Sequence, residues 1–198
     1  RKKVFFSGDS EDLGRFINNT LDRNPNLTSL TVEVESNCKW EDPVHLKHGG
    51  MHLTIIAKSY QHKYISEKSG DSEKAKKEDM DRCPVTIEFQ NSRLVYPSRE
   101  EGDHYYGYLT FSALIVHGEY SSVTIRGLTL RDNNIVNPEM SIYEQGLLMI
   151  GSDSKISIID CRVELSQRSL VTIYSASSSH LNFGHVRIVK NEESQQTV

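Results

Sequence analysis

Ala113-Leu114-Ile115-Val116-His117-Gly118, followed by Val123-Thr124-Ile125-Arg126-Gly127-Leu128-Thr129-Leu130, carries three short apolar-alternating runs. The pattern returns 33 residues later, read without a gap, as Gly146-Leu147-Leu148-Met149-Ile150-Gly151 and Ile156-Ser157-Ile158-Ile159-Asp160-Cys161-Arg162-Val163. A third copy reads Ser169-Leu170-Val171-Thr172 and Leu181-Asn182-Phe183-Gly184-His185-Val186-Arg187-Ile188, with a longer first turn. This alignment equates Leu114, Leu147 and Leu170; Val123, Ile156 and Leu181; and Leu128, Cys161 and Val186. Self-similarity at such a period predicts a stacked repeat architecture.

Within one unit, Leu114–Val116, Val123–Ile125 and Leu128–Leu130 each alternate at period two, the mark of a strand with one buried face. The last two are separated only by Arg126-Gly127, too short for a crossover helix and suited to a corner. An earlier unit fits once an insertion is allowed: Val44-His45-Leu46, Leu53-Thr54-Ile55 and Val85-Thr86-Ile87, preceded by a half unit at Leu30–Val34. The text from Ser121 to Asn134, and His52-Leu53-Thr54-Ile55-Ile56-Ala57, resembles the coil text of the pectin-lyase-like superfamily. That resemblance covers roughly residues 27–190 and implies an all-β solenoid, a right-handed parallel β-helix of about four to five coils. The competing leucine-rich repeat ranks lower because its Leu-x-x-Leu-x-Leu-x-x-Asn text is absent. The expected organisation is an N-terminal strand and capping helix over 1–26, the β-helix over 27–190 with insertions at 58–84, 90–108 and 131–145, and a polar tail over 191–198.

The capping helix is read over 10–23. Leu13, Phe16, Ile17 and Leu21 share one helical face, Asp9 or Ser10 is available as cap, and Pro25 stops the run. A plug of this kind shields the strand edges and core at the end of a stack. The segment after Ile188 is polar and offers no comparable plug.

The chain has 198 residues and a formal net charge of −4 with both signs mixed, so no broad nucleic-acid footprint is expected. No apolar run is long enough to span a bilayer as a helix. Three widely spaced cysteines, Cys38, Cys83 and Cys161, argue against a disulfide framework and for a reducing, cytoplasmic setting. The sequons at Asn18 and Asn26 pull weakly toward an extracellular or surface one.

Insertions in a repeat stack gather on one side, often the binding side. Two of them hold the candidate partner-binding residues: Tyr96, Arg99, His104, Tyr105, Tyr106 and Tyr108 in one, and Arg131, Asp132, Asn133 and Tyr143 in the other. Tyrosines interleaved with arginines suit a protein partner or sugar rings; covering the flank of the stack is the bland alternative. The charged segment Glu67–Asp79 cannot bury enough to order itself. The alignment also places Ile115, Leu148 and Val171 in one outward column, an apolar interface stripe. Strand-b positions Thr54, Thr124, Ser157 and Asn182 read as a polar ladder facing water.

Catalysis on such a scaffold needs clustered carboxylates projecting from adjacent units. Here Glu88 and Glu164 lie at strand ends, and Asp132 and Asp160 fall in different columns. No phosphate loop, nucleophile elbow or zinc spacing appears. The reading is a non-catalytic recognition module without cofactor or metal, an adaptor or scaffold domain binding a protein partner. In architecture it is similar to the β-helix regions of F-box substrate adaptors and SHC-binding cytokinesis proteins. The alternative is a carbohydrate-binding or polysaccharide-cleaving β-helix, lyase-like, hydrolase-like or tailspike-like.

Overall fold

A computed structural model describes residues 1–8, 11–46, 48–60, 83–90, 113–116, 118–133, 148–150, 153–165, 171–173 and 179–190. Besides the helical Lys58, Ser59 and Tyr60, fifteen strands and one longer helix are found among them. They are β1 (Lys2–Phe6), α1 (Leu13–Asp22), β2 (Ser29–Val34), β3 (Cys38–Trp40), β4 (Val44–Leu46), β5 (His52–Ala57), β6 (Thr86–Phe89), β7 (Leu114–Val116), β8 (Ser122–Arg126), β9 (Thr129–Asp132), β10 (Leu148–Ile150), β11 (Lys155–Ile159), β12 (Arg162–Leu165), β13 (Val171–Ile173), β14 (His180–Gly184) and β15 (Arg187–Lys190).

The strands form three open sheets: β1-β2-β5-β8-β11-β14, β13-β10-β7-β4 and β15-β12-β9-β6-β3. Every strand pairing among the described residues is parallel. No closed or curled solenoid is found among the described residues, so the expected right-handed parallel β-helix is corrected to a largely parallel-stranded fold of flat, open sheets. The physical reason is that a repeat fixes which strand lies beside which in a ladder. It fixes neither the hand of the connections nor the arrangement of one sheet about another. The chain joining β5 to β6, β6 to β7 and β9 to β10 runs largely outside the described residues.

Side-chain columns follow from the registers. In the six-stranded sheet Leu30, Leu53, Val123 and Ile156 stand in line and are buried, as do Val32, Ile55, Ile125 and Ile158. In the five-stranded sheet Cys38, Ile87, Leu130 and Val163 form the equivalent buried line. Trp40 and Phe89 stack beside it with ring centroids 5.5 Å apart. The β3 strand, Cys38-Lys39-Trp40, is too short to show alternation and escaped the sequence reading.

Two columns of left-handed backbone bend the chain between strands. Gly127, Asp160 and His185, at φ +68°, +51° and +52°, occupy the residue after β8, β11 and β14. Gly50, Tyr120 and Asp153, at φ +72°, +60° and +55°, lie two residues before β5, β8 and β11. Glycine, aspartate and histidine suit this conformation; tyrosine rarely adopts it.

The helix lies within the expected 10–23, but its cap is Asp12 and neither Asp9 nor Ser10. Asp12 Oδ1 accepts the Arg15 amide at 2.7 Å and the Asp42 amide at 3.2 Å, and Oδ2 accepts the Glu41 amide. One carboxylate thus caps the helix and ties it to the chain after β3. The helix packs on β3 and β4, and Phe16 meets Phe6 of β1 at 5.0 Å between centroids. These are the first strands of all three sheets, so α1 covers the end where the sheets begin.

Candidate functional site

The outer face of the five-stranded sheet carries a charged row. Lys39, Glu88, Arg131 and Glu164 stand side by side on β3, β6, β9 and β12. Arg131 Nε donates to Glu164 Oε2 at 2.5 Å, and its Nη1 donates to Glu88 Oε1 at 3.3 Å. Arg162 Nε donates to Glu164 Oε1 at 2.8 Å. Burial lifts the Glu164 carboxyl, but hydrogen bonds from Arg131 and Arg162 outweigh it, and its pKa falls below the ordinary value. Glu88, Arg131, Glu164 and Arg162 are thus linked in one chain of ion pairs.

The site residues expected from sequence are distributed unevenly over this surface. Arg131 and Asp132, read as loop residues, belong to β9. Arg131 anchors the charged row. Asp132 lies opposite Phe89 and is only 1% exposed, so it is corrected from a partner contact to a buried strand residue. Asn133 is exposed, and its amide donates to Phe89 O at 3.0 Å. One strand back, the Gln90 amide donates to Trp40 O at 3.1 Å. Gln90 and Asn133 are the first residues after β6 and β9, so the chain leaves the sheet at adjacent points, toward a segment with four tyrosines and two arginines after Gln90 and toward one with Tyr143 and no arginine after Asn133. Tyr96, Arg99, His104, Tyr105, Tyr106, Tyr108 and Tyr143 themselves lie outside the described residues, as does the charged segment Glu67–Asp79.

The apolar stripe Ile115, Leu148 and Val171 is corrected by register. Leu148 lies opposite Leu114 and Val171 opposite Leu148, whereas Ile115 is paired with Met149. The ungapped alignment misplaced this sheet by one residue, and a one-residue slip exchanges the two faces of a strand. Its cause is the turn: residues 117–121 separate β7 from β8, but only residues 151–154 separate β10 from β11. Ser157, expected to face water, is 5% exposed, and Thr129 is 4% exposed.

A second polar cluster sits at the corner before β12. The Tyr60 hydroxyl donates to Asp160 Oδ2, and His185 Nδ1 lies 3.3 Å from Asp160 Oδ1. Cys83 Sγ donates to the Asp160 carbonyl at 3.6 Å. Gly127 lies beneath the Tyr60 ring, where any Cβ would stand 2.5 Å from Tyr60 Cγ. Asp160 lies at the corner between β11 and β12 whereas Asp132 is the last residue of β9, and Glu88 and Glu164 are bridged by Arg131, so these acids do not form an acid–base pair. Among the described residues no group of three or more His, Cys, Asp and Glu is placed to hold a metal ion. An open groove of about 730 Å³ at the β1–β2–β5 end, lined by Arg1, Lys2, Lys3, Thr31 and His52 among others, was not foreseen from sequence.

Cys38, Cys83 and Cys161 are free thiols. Burial pushes both Cys38 and Cys161 up to about 12. The Asn18 side-chain amide donates to Pro43 O at 3.0 Å, so this sequon asparagine is committed to fixing α1. No helix among the described residues is long and apolar enough to cross a membrane. No family model, curated protein or solved structure matches the chain. The likeness to pectin-lyase-like chains therefore stands on the quoted residues alone.

Proposed function

We propose that the chain is a non-catalytic recognition module, an adaptor or scaffold domain that binds a protein partner. One observation carries the reading: Gln90 and Asn133 leave neighbouring strands in register, so the tyrosine- and arginine-rich segment after β6 and the segment holding Tyr143 after β9 start from adjacent points. The paired charges of Glu88, Arg131, Glu164 and Arg162 on the same sheet supply a polar rim, and tyrosine with arginine supplies the usual anchors of a protein interface. The free thiols favour a reducing compartment, the cytoplasm.

The test pairs affinity with stability. A Tyr105→Ala/Tyr106→Ala double variant weakens capture and measured affinity for a protein partner while leaving the melting temperature unchanged. Unaltered affinity for every captured partner overturns the reading, and so does tight, Tyr-dependent binding on a glycan array. The latter outcome favours the carbohydrate alternative.

A further inference from the structure

Tyr120 is the outlier of its column. Gly50 and Asp153, which hold the same place in the turns on either side, suit a left-handed backbone, whereas Tyr120 takes φ +60° with a bulky side chain. The three turns are bonded in series: the Gly50 amide donates to Glu119 O at 2.8 Å and the Tyr120 amide to Asp153 O at 3.0 Å. Two buried serines fasten them from within. Ser121 Oγ donates to His48 O at 3.0 Å, and Ser154 Oγ to Gly118 O at 3.1 Å. Gly49 lies so close to the next turn that an added Cβ would stand 2.9 Å from Glu119 O. The neighbours therefore over-determine the Tyr120 backbone, the condition under which strain persists. The turns lead into β5, β8 and β11, interior strands of the six-stranded sheet, so this ridge is not a sheet edge.

Packing does not account for the tyrosine. Tyr120 is 72% exposed, and its ring meets no aromatic or cationic side chain among the described residues. On one side stands Gly50, where an added Cβ would meet nothing within 4 Å, so a bare shelf adjoins the tyrosine. On the other stands Asp153, and Glu119 precedes Tyr120 in the chain. Neither carboxylate is in a salt bridge with a described residue. The described residues of the three turns include these two acids and no lysine or arginine; Lys155 follows as the first residue of β11.

We propose that this ridge receives an arginine side chain of a protein partner, the guanidinium lying on the Tyr120 ring beside Gly50 and pairing with the carboxylates of Asp153 and Glu119. A guanidinium is planar, stacks on aromatic faces and matches carboxylates with a fork of donors. A lysine matches the charge but not the stack. A neutral sugar uses the ring but leaves both acids unmatched. Fixing the tyrosine on a strained, rigid turn before the partner arrives lowers the ordering cost of binding. This contact goes beyond the segments that follow β6 and β9 and does not depend on them.

The probe is the acetylated and amidated tripeptide glycyl-arginyl-glycine, titrated into the isotope-labelled full chain and followed by NMR. The expected result is saturable shifts of the Gly50, Tyr120 and Asp153 amides. Binding is about threefold weaker or worse for the lysine tripeptide and for Tyr120→Gly, and weakest for the tripeptide with neutral citrulline in place of arginine. Asp153→Asn, which keeps a residue suited to a left-handed turn, weakens it likewise. Tyr120→Gly melts no lower than the parent, because it relieves strain and removes little packing. A lower melting temperature would make the ring a structural residue and overturn the proposal. Absent shifts at these amides overturn it too, as do equal shifts with all three tripeptides; these controls leave the protein untouched, so misfolding of a variant cannot decide them. A response to maltohexaose alone makes the ridge a sugar contact and overturns it as well. The Tyr105→Ala/Tyr106→Ala variant keeps the arginine response, so failure at the ridge and failure of the recognition-module reading are told apart.

Discussion

Arg131 on β9 bridges Glu164 on β12 at 2.5 Å, and the same guanidinium reaches back to Glu88 on β6 at 3.3 Å. Three strands are thereby stitched on their outer face. Exposed pairs of this kind are worth about 0–1 kcal/mol each, and the Arg131 side chain is one-third exposed, so Arg131→Ala is expected to cost about 1 kcal/mol. The pH dependence is sharper than the magnitude. Glu164 has its pKa lowered from 4.5 in the folded chain, so its contribution is complete above 4.5 and is lost as pH falls through the lower folded value. Glu164→Gln should therefore lower the melting temperature at neutral pH, with the gap to the parent closing in acid. A gap that stays constant from pH 7 to 3 would exclude the ion-pair explanation.

The corner at Gly127 makes a separate demand. Its φ of +68° is shared in kind by Asp160 and His185, so backbone strain alone is tolerable at this column. The Tyr60 ring is what forbids a side chain, since an added Cβ meets it at 2.5 Å. Gly127→Ala is expected to cost about 1–3 kcal/mol by denaturant unfolding. In a Tyr60→Ala background the cost falls to the strain alone, a coupling that a double-mutant cycle reads directly. Additive costs would place the problem in the backbone.

The parallel neighbours could be read from sequence because aliphatic positions recur: Val123 with Ile156 and Leu181, and Leu128 with Cys161 and Val186, all fall where the registers put them. That the sheets stay open and do not close into a β-helix was not legible, for alternation reports a buried face and not the shape of the sheet. The slip at β10 arose in Leu147-Leu148-Met149-Ile150, where consecutive apolar residues hide which one faces inward. Asp132 reads as a surface acid because nothing in its neighbours announces burial against Phe89. The charged row escaped notice because its spacings are unequal: Arg131 is 33 residues from Glu164 and 43 from Glu88. Loop length, which periodicity ignores, decides that row.

Leu114 is fully buried, and Val44 and Leu148 flank it in the ladder. Leu114→Ala is expected to cost about 2–5 kcal/mol, as removal of a buried aliphatic does. A cost for Leu114→Ala within about 0.5 kcal/mol by urea unfolding, the size of an ordinary surface change, would contradict the burial of this column.

Asp12 tests the attachment of the helix. Its carboxylate serves the Arg15 amide inside α1 and the Glu41 and Asp42 amides beyond β3. Burial raises its pKa above 3.8, with the three backbone hydrogen bonds opposing that rise. Asp12→Ala removes both the cap and the tie, and is expected to cost about 2 kcal/mol, the upper end for an N-cap. Asp12→Asn keeps an acceptor and avoids a buried charge, so it should cost less than half as much. Equal losses for the two variants would show that the charge, and not the acceptor geometry, holds the helix in place.

Thiol chemistry separates the three cysteines. Cys38 and Cys161 are buried, and both thiols are pushed up to about 12, so almost none of either is thiolate at pH 8. Cys83 is partly exposed. Because the thiolate is the nucleophile, alkylation of the native chain at pH 8 should label Cys83 first and leave the other two intact. Their labelling should then follow the unfolding transition in urea, giving a second, independent measure of core stability. Rapid modification of Cys161 under native conditions would mean that the β11–β12 corner opens readily, and would contradict the packing of Tyr60 over Gly127.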